Sequence, residues 1–161
     1  MLVILGGLPA TGKTAIAREL ARQLGAVHVR IDTIEQALRH AGVTVWDHGY
    51  RVGYAAAEDN LRLGHTVVAD SVNPLEITRA AWRDVAKRAG LTAVEVEIVC
   101  SDRDEHRRRV EDRRTDVEGL RLPTWEDVVR REYEPWTGVH LVVDTARLTI
   151  TEAVAAIRNA M

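Results

Sequence analysis

The chain has 161 residues, of which 46% are hydrophobic and 29% charged, and its formal net charge at pH 7 is −2. This length and apolar fraction suit one domain with a good core, so we expect a single domain over residues 1–161. The nearly balanced charge excludes a general attraction to nucleic acid or anionic lipid, although it permits local basic clusters. The single cysteine, Cys100, excludes an intramolecular disulfide. With no predicted signal peptide or membrane span, we expect a cytoplasmic protein without a membrane partner; its oligomeric state stays open.

The first predicted elements are an apolar strand at 2–5, a loop at 7–14 and a helix from Ala15. The loop has the sequence Gly-Leu-Pro-Ala-Thr-Gly-Lys-Thr, which matches glycine, four residues, then Gly-Lys-Ser/Thr. In this order the loop N–H groups surround an anion, while the helix N-terminus points at the same phosphate. The sequence therefore predicts a nucleotide-phosphate site at Gly7, Ala10, Thr11, Gly12, Lys13 and Thr14.

Two residues of this loop carry specific chemistry. Lys13 places a mobile positive charge at the phosphates, which makes it a candidate catalytic residue. The Thr14 hydroxyl can bind the magnesium ion that accompanies a nucleoside triphosphate.

Apolar runs alternate with helical patterns along the rest of the chain. We predict further strands at 27–31, 65–69, 92–99 and 141–143, and helices at 33–40, 52–63, 75–89, 102–114, from about 124, and at 151–161. Five short strands separated by helices predict an α/β fold. The expected architecture is a three-layer α/β/α sandwich with a five-stranded parallel sheet.

Two aspartates follow predicted strands, at the sheet edge where ligands bind in open parallel sheets. Asp32 is placed to take a proton from a substrate hydroxyl. However, Asp32-Thr33-Ile34-Glu35 also matches a capping box, in which Asp32 would only cap a helix. Asp70 fits a carboxylate that supports magnesium through water, or a residue that merely ends a strand.

An arginine-rich segment forms the end of the predicted helix 102–114. Arg109 and Arg113 are four residues apart, so a helix would place both on one face and within reach of one ligand. One guanidinium can stack on a base while the other pairs with phosphate oxygens. The alternative is a solvated face with internal ion pairs. The polar connection at about 114–124 is predicted to close over the site as a short lid.

The segment between the second and third strands is expected to form the pocket for the second substrate. Its candidate residues are Trp46, Tyr50, Arg51 and Tyr54, together with Asp32. Trp46 and Tyr50 suit ordinary packing equally well.

The loop Gly7–Thr14, Asp32, Asp70 and the Arg109–Arg113 segment before a short lid resemble the small P-loop kinases. This group includes nucleoside monophosphate kinases, gluconate kinase, chloramphenicol phosphotransferase and 5′-hydroxyl polynucleotide kinases. The resemblance spans essentially the whole chain, although Ala10 replaces the glycine that commonly follows the loop proline. It implies a P-loop NTPase fold that uses ATP and Mg²⁺. It also implies Arg109 stacked on adenine, Arg113 at the phosphates and Thr145 near the adenine.

The resemblance implies an ATP-dependent phosphotransferase that moves the γ-phosphoryl group of Mg-ATP to a hydroxyl of a small molecule. Asp32 would be the base, and Lys13 and Arg113 would stabilise the transferring group. Two alternatives stay open: a 5′-hydroxyl polynucleotide or nucleoside kinase, and a non-kinase ATP-binding switch or ATPase.

Overall fold

The structure is a computed structural model that describes residues 1–161. The chain forms five strands and seven helices. The strands are β1 (Leu2–Gly6), β2 (Val27–Arg30), β3 (Val67–Asp70), β4 (Ala93–Val99) and β5 (Leu141–Asp144). The helices are α1 (Lys13–Leu24), α2 (Ile31–His40), α3 (His48–Arg62), α4 (Glu76–Arg88), α5 (Arg103–Glu111), α6 (Trp125–Arg130) and α7 (Ile150–Asn159).

The strands form one parallel sheet in the order β2-β3-β1-β4-β5. Strands β1 and β3 in its interior are apolar runs, apart from the terminal Asp70, because helices cover both faces of the sheet. The predicted five-stranded parallel α/β sandwich is thus confirmed. The register aligns Asp70 with Leu5 on one side and with Arg30 on the other, so the carboxyl ends of β1, β2 and β3 lie together.

Two apolar clusters hold the layers together, one on each face of the sheet. The first joins the sheet to α1 and α7 through residues such as Ile16, Leu20 and Ile157. The second joins it to α3 and α4, with Leu61 and the fully buried Trp82 near its centre. No helix combines the length and apolar character needed to cross a membrane.

Several helix boundaries differ from the prediction. Helix α2 begins at Ile31, directly after β2, with Arg30 as its N-cap residue. Asp32 therefore lies inside the first turn, and the predicted capping role of Asp32 is wrong. Helix α5 ends at Glu111 rather than at 114. Helix α6, by contrast, starts where it was predicted, and the Thr124 and Asp127 side chains form a capping box there.

Candidate active site

The loop between β1 and α1 carries the predicted phosphate site and turns through several left-handed backbone conformations. Three of its residues have positive φ: Gly7 (137°), Ala10 (63°) and Gly12 (96°). A Cβ at Gly7 would lie 2.1 Å from the Ile98 carbonyl oxygen, so only glycine fits there. The Gly7 N–H donates to the Val72 carbonyl at 3.0 Å, which joins the loop to the segment after β3.

Hydrogen bonds within and around the loop fix its shape. The Thr11 hydroxyl and the Lys13 ammonium both donate to the Leu8 carbonyl, at 2.9 and 2.8 Å. His106 Nε2 lies 2.8 Å from the Pro9 carbonyl oxygen, and the Thr145 hydroxyl donates to the Thr11 carbonyl at 2.8 Å. The loop is therefore preorganised by contacts from α5 and from the end of β5.

Lys13 and Asp70 form the charged centre of the site. Burial lowers the pKa of Lys13 to about 8, and the nearby Asp70 and Asp32 carboxylates only partly oppose this effect. Burial alone would raise the pKa of Asp70, but the hydrogen bond from His28, the charge of Lys13 and the hydrogen bond from Thr14 outweigh it, so the pKa lies below its ordinary value. Asp70 is consequently a carboxylate with only 3% exposure.

His28 is a neighbour of Asp70 that the sequence did not suggest. Its Nε2 atom lies 3.2 Å from Asp70 Oδ2, and the two residues come from the adjacent strands β2 and β3. The only signal in the sequence was a polar residue inside an apolar strand pattern.

The residues at this centre suit magnesium brought in by a nucleotide rather than a metal held by the protein alone. No group of three or more histidine, cysteine, aspartate or glutamate side chains could hold a metal ion. Asp70 and Thr14 supply oxygen atoms on the same edge of the sheet. Mg²⁺ characteristically combines one or two such protein ligands with water and phosphate oxygens, so the donor set fits.

A cavity of about 640 Å³ opens beside the loop, between α1, α2, the end of β3 and the segment that precedes α6. Many of the site residues that the sequence predicts line this cavity: Ala10, Gly12, Lys13, Thr14, Asp32, Trp46, Tyr50, Asp70, Arg109 and Arg113. The lining also contains residues that were not predicted: Glu35, Arg39, Ser71, Arg121 and Arg131. Gly7 and Thr11 line a smaller cavity of about 110 Å³ behind the loop.

Four side chains from α2, α3 and the end of β3 form a polar corner of the large cavity, here called the acceptor corner: Asp32, Glu35, Tyr50 and Ser71. Asp32 and Glu35 are one helical turn apart on α2. Burial raises the pKa of Glu35, opposed by its hydrogen bond with Arg39, and Asp32 adds a further repulsion. Burial likewise raises the pKa of Tyr50 to about 12, so its hydroxyl stays protonated.

Arg51 and Tyr54 do not line the cavity. Arg51 is exposed and pairs with Asp47 at 2.6 Å, one turn earlier. Tyr54 packs edge-on against Trp82 in the core, and its hydroxyl donates to the Thr78 carbonyl. We therefore leave both residues out of the acceptor site. Helical spacing alone could not separate Tyr54 from Tyr50, because the two lie on the same helical face.

Arg109 and Arg113 both line the cavity, but not as neighbours on one helix, because α5 ends between them. The Arg109 guanidinium donates to the Thr145 hydroxyl at 2.8 Å and to the Thr145 carbonyl at 3.0 Å, and it pairs with Glu105. Thr145 does not itself line the cavity. Arg113 has no carboxylate partner, which leaves its charge available to a ligand.

The segment 112–124, here called the lid, contains neither helix nor strand and lies against the cavity. Asp116 anchors it by pairing with Arg30 at 2.9 Å and with Arg18 on α1. The lid backbone also contacts α2, because a Cβ at Gly119 would lie 2.8 Å from Gln36 Nε2. The lid therefore forms one wall of the site and is held at two points.

Comparisons with known proteins agree with this fold. Residues 2–134 match the sequence profile of the AAA domain family. No curated protein matches the chain. Among solved structures, a "putative kinase" from Chloroflexus aurantiacus J-10-fl is 25% identical, with a TM-score of 0.72, and the match covers 99% of this chain and 94% of that one.

Two more distant structures share the fold. Kti12 from Chaetomium thermophilum, in complex with ADP-AlF3, is 24% identical, with a TM-score of 0.71 and coverage of 99% of this chain and 98% of that chain. A gluconokinase from Sinorhizobium meliloti 1021 is 17% identical, with a TM-score of 0.67 and coverage of 98% and 91%. At these identities the likeness concerns the fold.

Proposed function

Because the chain belongs to the AAA domain family and has small P-loop kinases among its structural neighbours, we propose that it is an ATP-dependent phosphotransferase. The reaction transfers the γ-phosphoryl group of Mg-ATP to a hydroxyl of a small-molecule acceptor. The observation that carries this proposal is the position of Asp32. It is not used as a helix cap, and it lines the same cavity as Lys13 and Asp70.

The residues around the phosphate loop would bind the triphosphate. Loop N–H groups and Lys13 contact the phosphates, and Arg113 adds a charge from the lid side. Arg109, held by Thr145, offers a guanidinium plane on which the base can stack. Thr14 and Asp70 would hold Mg²⁺, which when bound neutralises charge on the phosphate oxygens.

Asp32 would perform the proton transfer. Its carboxylate accepts the proton of the acceptor hydroxyl while that oxygen forms a bond to the γ-phosphorus. The bond from the γ-phosphorus to the bridging oxygen breaks, and the electron pair leaves with ADP. Lys13 and Arg113 stabilise the charge on the transferring group, and the lid limits access of water.

A small acceptor is favoured over the end of a nucleic acid. Binding a polynucleotide requires cations free to contact successive phosphates. On the α2–α3 wall, however, Arg39 pairs with Glu35 at 3.1 Å and Arg51 pairs with Asp47. On the lid side, the apolar residues Leu120, Leu122 and Pro123 line the cavity.

The proposal is tested by measuring ATP consumption in the presence of sugars, polyols, nucleosides, hydroxylated antibiotics and 5′-hydroxyl oligonucleotides. Mass spectrometry then identifies the phosphorylated product. We expect one class of small alcohol to raise ATP turnover well above the rate of hydrolysis. Turnover with the oligonucleotides alone would favour a polynucleotide kinase, and hydrolysis that no alcohol increases would favour an ATPase or switch.

Asp32→Asn tests the catalytic base directly. The amide cannot accept the proton, so kcat should fall by about 10²–10⁴-fold while ATP affinity is retained. Asp84→Asn is the matched control, because Asp84 is exposed on α4 and outside the cavity. An equal loss of ATP affinity in Asp32→Asn would contradict the assignment of Asp32 as the base.

A further inference from the structure

Arg131 lines the large cavity from outside both the phosphate loop and the lid. It directly follows the last residue of α6, at the point where the backbone leaves the helix. The residue is exposed, and its guanidinium makes no ion pair or hydrogen bond within the chain. Arg113 and Arg121, the other cavity arginines without a carboxylate partner, belong to the lid. Arg131 is thus the cavity arginine outside the lid whose charge is available to a ligand.

The adjacent Arg130 lies in different surroundings. It pairs with Glu126 at 2.5 Å, one turn earlier on α6, and both side chains of this pair are exposed. Arg130 does not line the cavity. Two neighbouring arginines therefore differ in the property that matters here, because only Arg131 can contact a molecule bound in the cavity.

The backbone on both sides of Arg131 is anchored in the protein. Three residues before it, Val128 is buried at 1% exposure. Three residues after it, the Glu134 N–H donates to the Pro74 carbonyl at 2.8 Å, and the Glu134 carbonyl accepts from the buried Arg79 at 3.1 Å. The attachment point of Arg131 is therefore held independently of the lid. A cation held in this way costs little reorganisation when a charge develops beside it.

Arg131 lies between the phosphate end of the cavity and the acceptor corner. Burial is the main influence on the pKa of Lys13 and on that of Glu35, but the charge of Arg131 also acts on both groups and lowers each pKa. Asp32 acts on the same two groups with the opposite sign. All four side chains line the cavity. Arg131 and Asp32 are thus both close to the junction at which a phosphoryl group would pass from ATP to the acceptor.

The transfer creates a need for positive charge at this junction. As the acceptor oxygen bonds to the γ-phosphorus, the bond to the bridging oxygen breaks, its electron pair leaves with ADP and Asp32 takes the hydroxyl proton. Negative charge meanwhile spreads over the three equatorial oxygens of the phosphoryl group. The Asp32 carboxylate repels these oxygens, whereas a guanidinium can donate to two of them at once and keeps its own protons throughout.

We propose that Arg131 is a further catalytic residue, whose guanidinium binds the equatorial oxygens of the γ-phosphoryl group during its transfer to the acceptor. This inference rests on the proposed phosphotransferase function. It adds to Lys13 and Arg113 a cation that comes from neither the phosphate loop nor the lid. Because its attachment point is fixed, Arg131 serves the transfer from the side of the acceptor corner without waiting for the lid to move.

A mimic of the transferring group tests this contact without turnover. Aluminium fluoride takes the place of the γ-phosphoryl group beside ADP, so the full chain is titrated with Mg-ADP and the acceptor alcohol that the turnover screen identifies, with and without aluminium fluoride. We expect aluminium fluoride to tighten binding in the wild type. Arg131→Gln should reduce this gain by about tenfold or more, with the affinity for Mg-ADP alone nearly unchanged. Arg130→Gln is the matched control and should keep the full gain.

An equal gain in Arg131→Gln and the wild type would overturn the assignment of Arg131. A wild type without any gain would overturn it as well. The fold should tolerate the substitution, because the guanidinium has no partner in the free protein.

Kinetics of the same variants separate catalysis from recognition of the acceptor. Arg131→Gln should lower kcat by about 10²–10³-fold, with the KM values for ATP and the acceptor nearly unchanged. Arg131→Lys keeps the charge but loses the planar pair of donors, so it should restore only part of kcat. A higher KM for the acceptor with kcat retained would assign Arg131 to an anionic group of the acceptor and overturn the inference.

Failure of this inference is distinguishable from failure of the proposed function. If an alcohol raises ATP turnover equally in the wild type and in Arg131→Gln, the phosphotransferase function stands and the role of Arg131 is wrong. If no alcohol raises ATP turnover in the wild type, the proposed function fails and the inference fails with it.

Discussion

At the scale of single residues, the position of Asp70 depends on a neighbour outside the recognised motif. His28 lies at hydrogen-bonding distance from one carboxylate oxygen, and Thr14 and Lys13 also interact with the carboxylate. Such outer contacts orient a metal-binding carboxylate, and their loss typically costs 10–100-fold in metal affinity or activity. In the proposed Mg²⁺ site, His28 would thus be a positioning residue.

His28→Leu should raise the Mg²⁺ concentration needed for half-maximal activity by about tenfold or more. Mn²⁺ binding in the presence of ADP, monitored by electron paramagnetic resonance, compares the metal affinities of the wild type and the variant without turnover. Nucleotide affinity without metal should be retained, and His28→Asn should partly restore metal affinity. His65→Leu is the control, since His65 is exposed outside the cavity. An unchanged metal requirement in His28→Leu would show that Asp70 is held by its other partners.

Glu35 illustrates the cost of building the acceptor corner. Its pKa is raised in the folded protein, so the folded state prefers the protonated carboxyl and its ionisation destabilises the fold at neutral pH. Glu35→Gln should therefore raise Tm by about 1–3 °C at pH 7. The difference from the wild type should shrink as the pH falls below the folded pKa and Glu35 itself becomes neutral. A lower Tm at pH 7 would mean that the Arg39 ion pair outweighs the burial cost.

At the scale of elements, the lid depends on one ion-paired aspartate. Arg18 and Arg30 hold the pKa of Asp116 well below its ordinary value. A carboxylate of this kind keeps its contacts above the unfolded pKa of about 4 and loses them only as the pH falls through the lower folded value. The anchorage should therefore be constant between pH 5 and 8.

Asp116→Asn should release the lid by weakening both ion pairs. Hydrogen exchange of residues 112–124 should become faster, and ATP hydrolysis without acceptor should increase relative to transfer, because a loose lid admits water. Asp112→Asn provides the control, since Asp112 is exposed in the same segment and has no ion pair. Unchanged exchange in Asp116→Asn would show that the contact of Gly119 with α2 suffices to hold the lid.

Elements that local interactions determine could be predicted from the sequence, whereas boundaries set by more distant contacts could not. Strands β1, β3 and β5 were predictable because parallel strands buried between helices are short apolar runs. The start of α6 was predictable because the Thr124 capping box is local chemistry. The start of α2 and the end of α5 could not be predicted. Strand β2 passes into α2 without a connecting loop, and α5 ends within a charged run that contains no helix-breaking residue.

At the scale of the whole molecule, the topology explains both what the sequence predicted of the site and what it did not. The sheet order brings the ends of β1, β2 and β3 together, so Lys13, Asp32 and Asp70 could be grouped from their positions after strands. Glu35 and Arg131 join the cavity through packing of α2 and through the return of the chain after the lid. Such contacts between distant segments leave no periodic signal in a single sequence.

The same convergence predicts that nucleotide stabilises the entire domain. A ligand bound to the phosphate loop, the end of β3 and the lid must be released before the domain unfolds, and at 100 times Kd it adds about 2.7 kcal/mol. For a chain of this size that energy corresponds to a rise in Tm of about 5–10 °C, measurable by calorimetry with a non-hydrolysable Mg-ATP analogue. Lys13→Ala should abolish this rise at the same analogue concentration, because the buried ammonium in the loop is lost. Lys87→Ala, which removes an exposed lysine on α4, should retain it. A full shift in Lys13→Ala would place the nucleotide outside the phosphate loop.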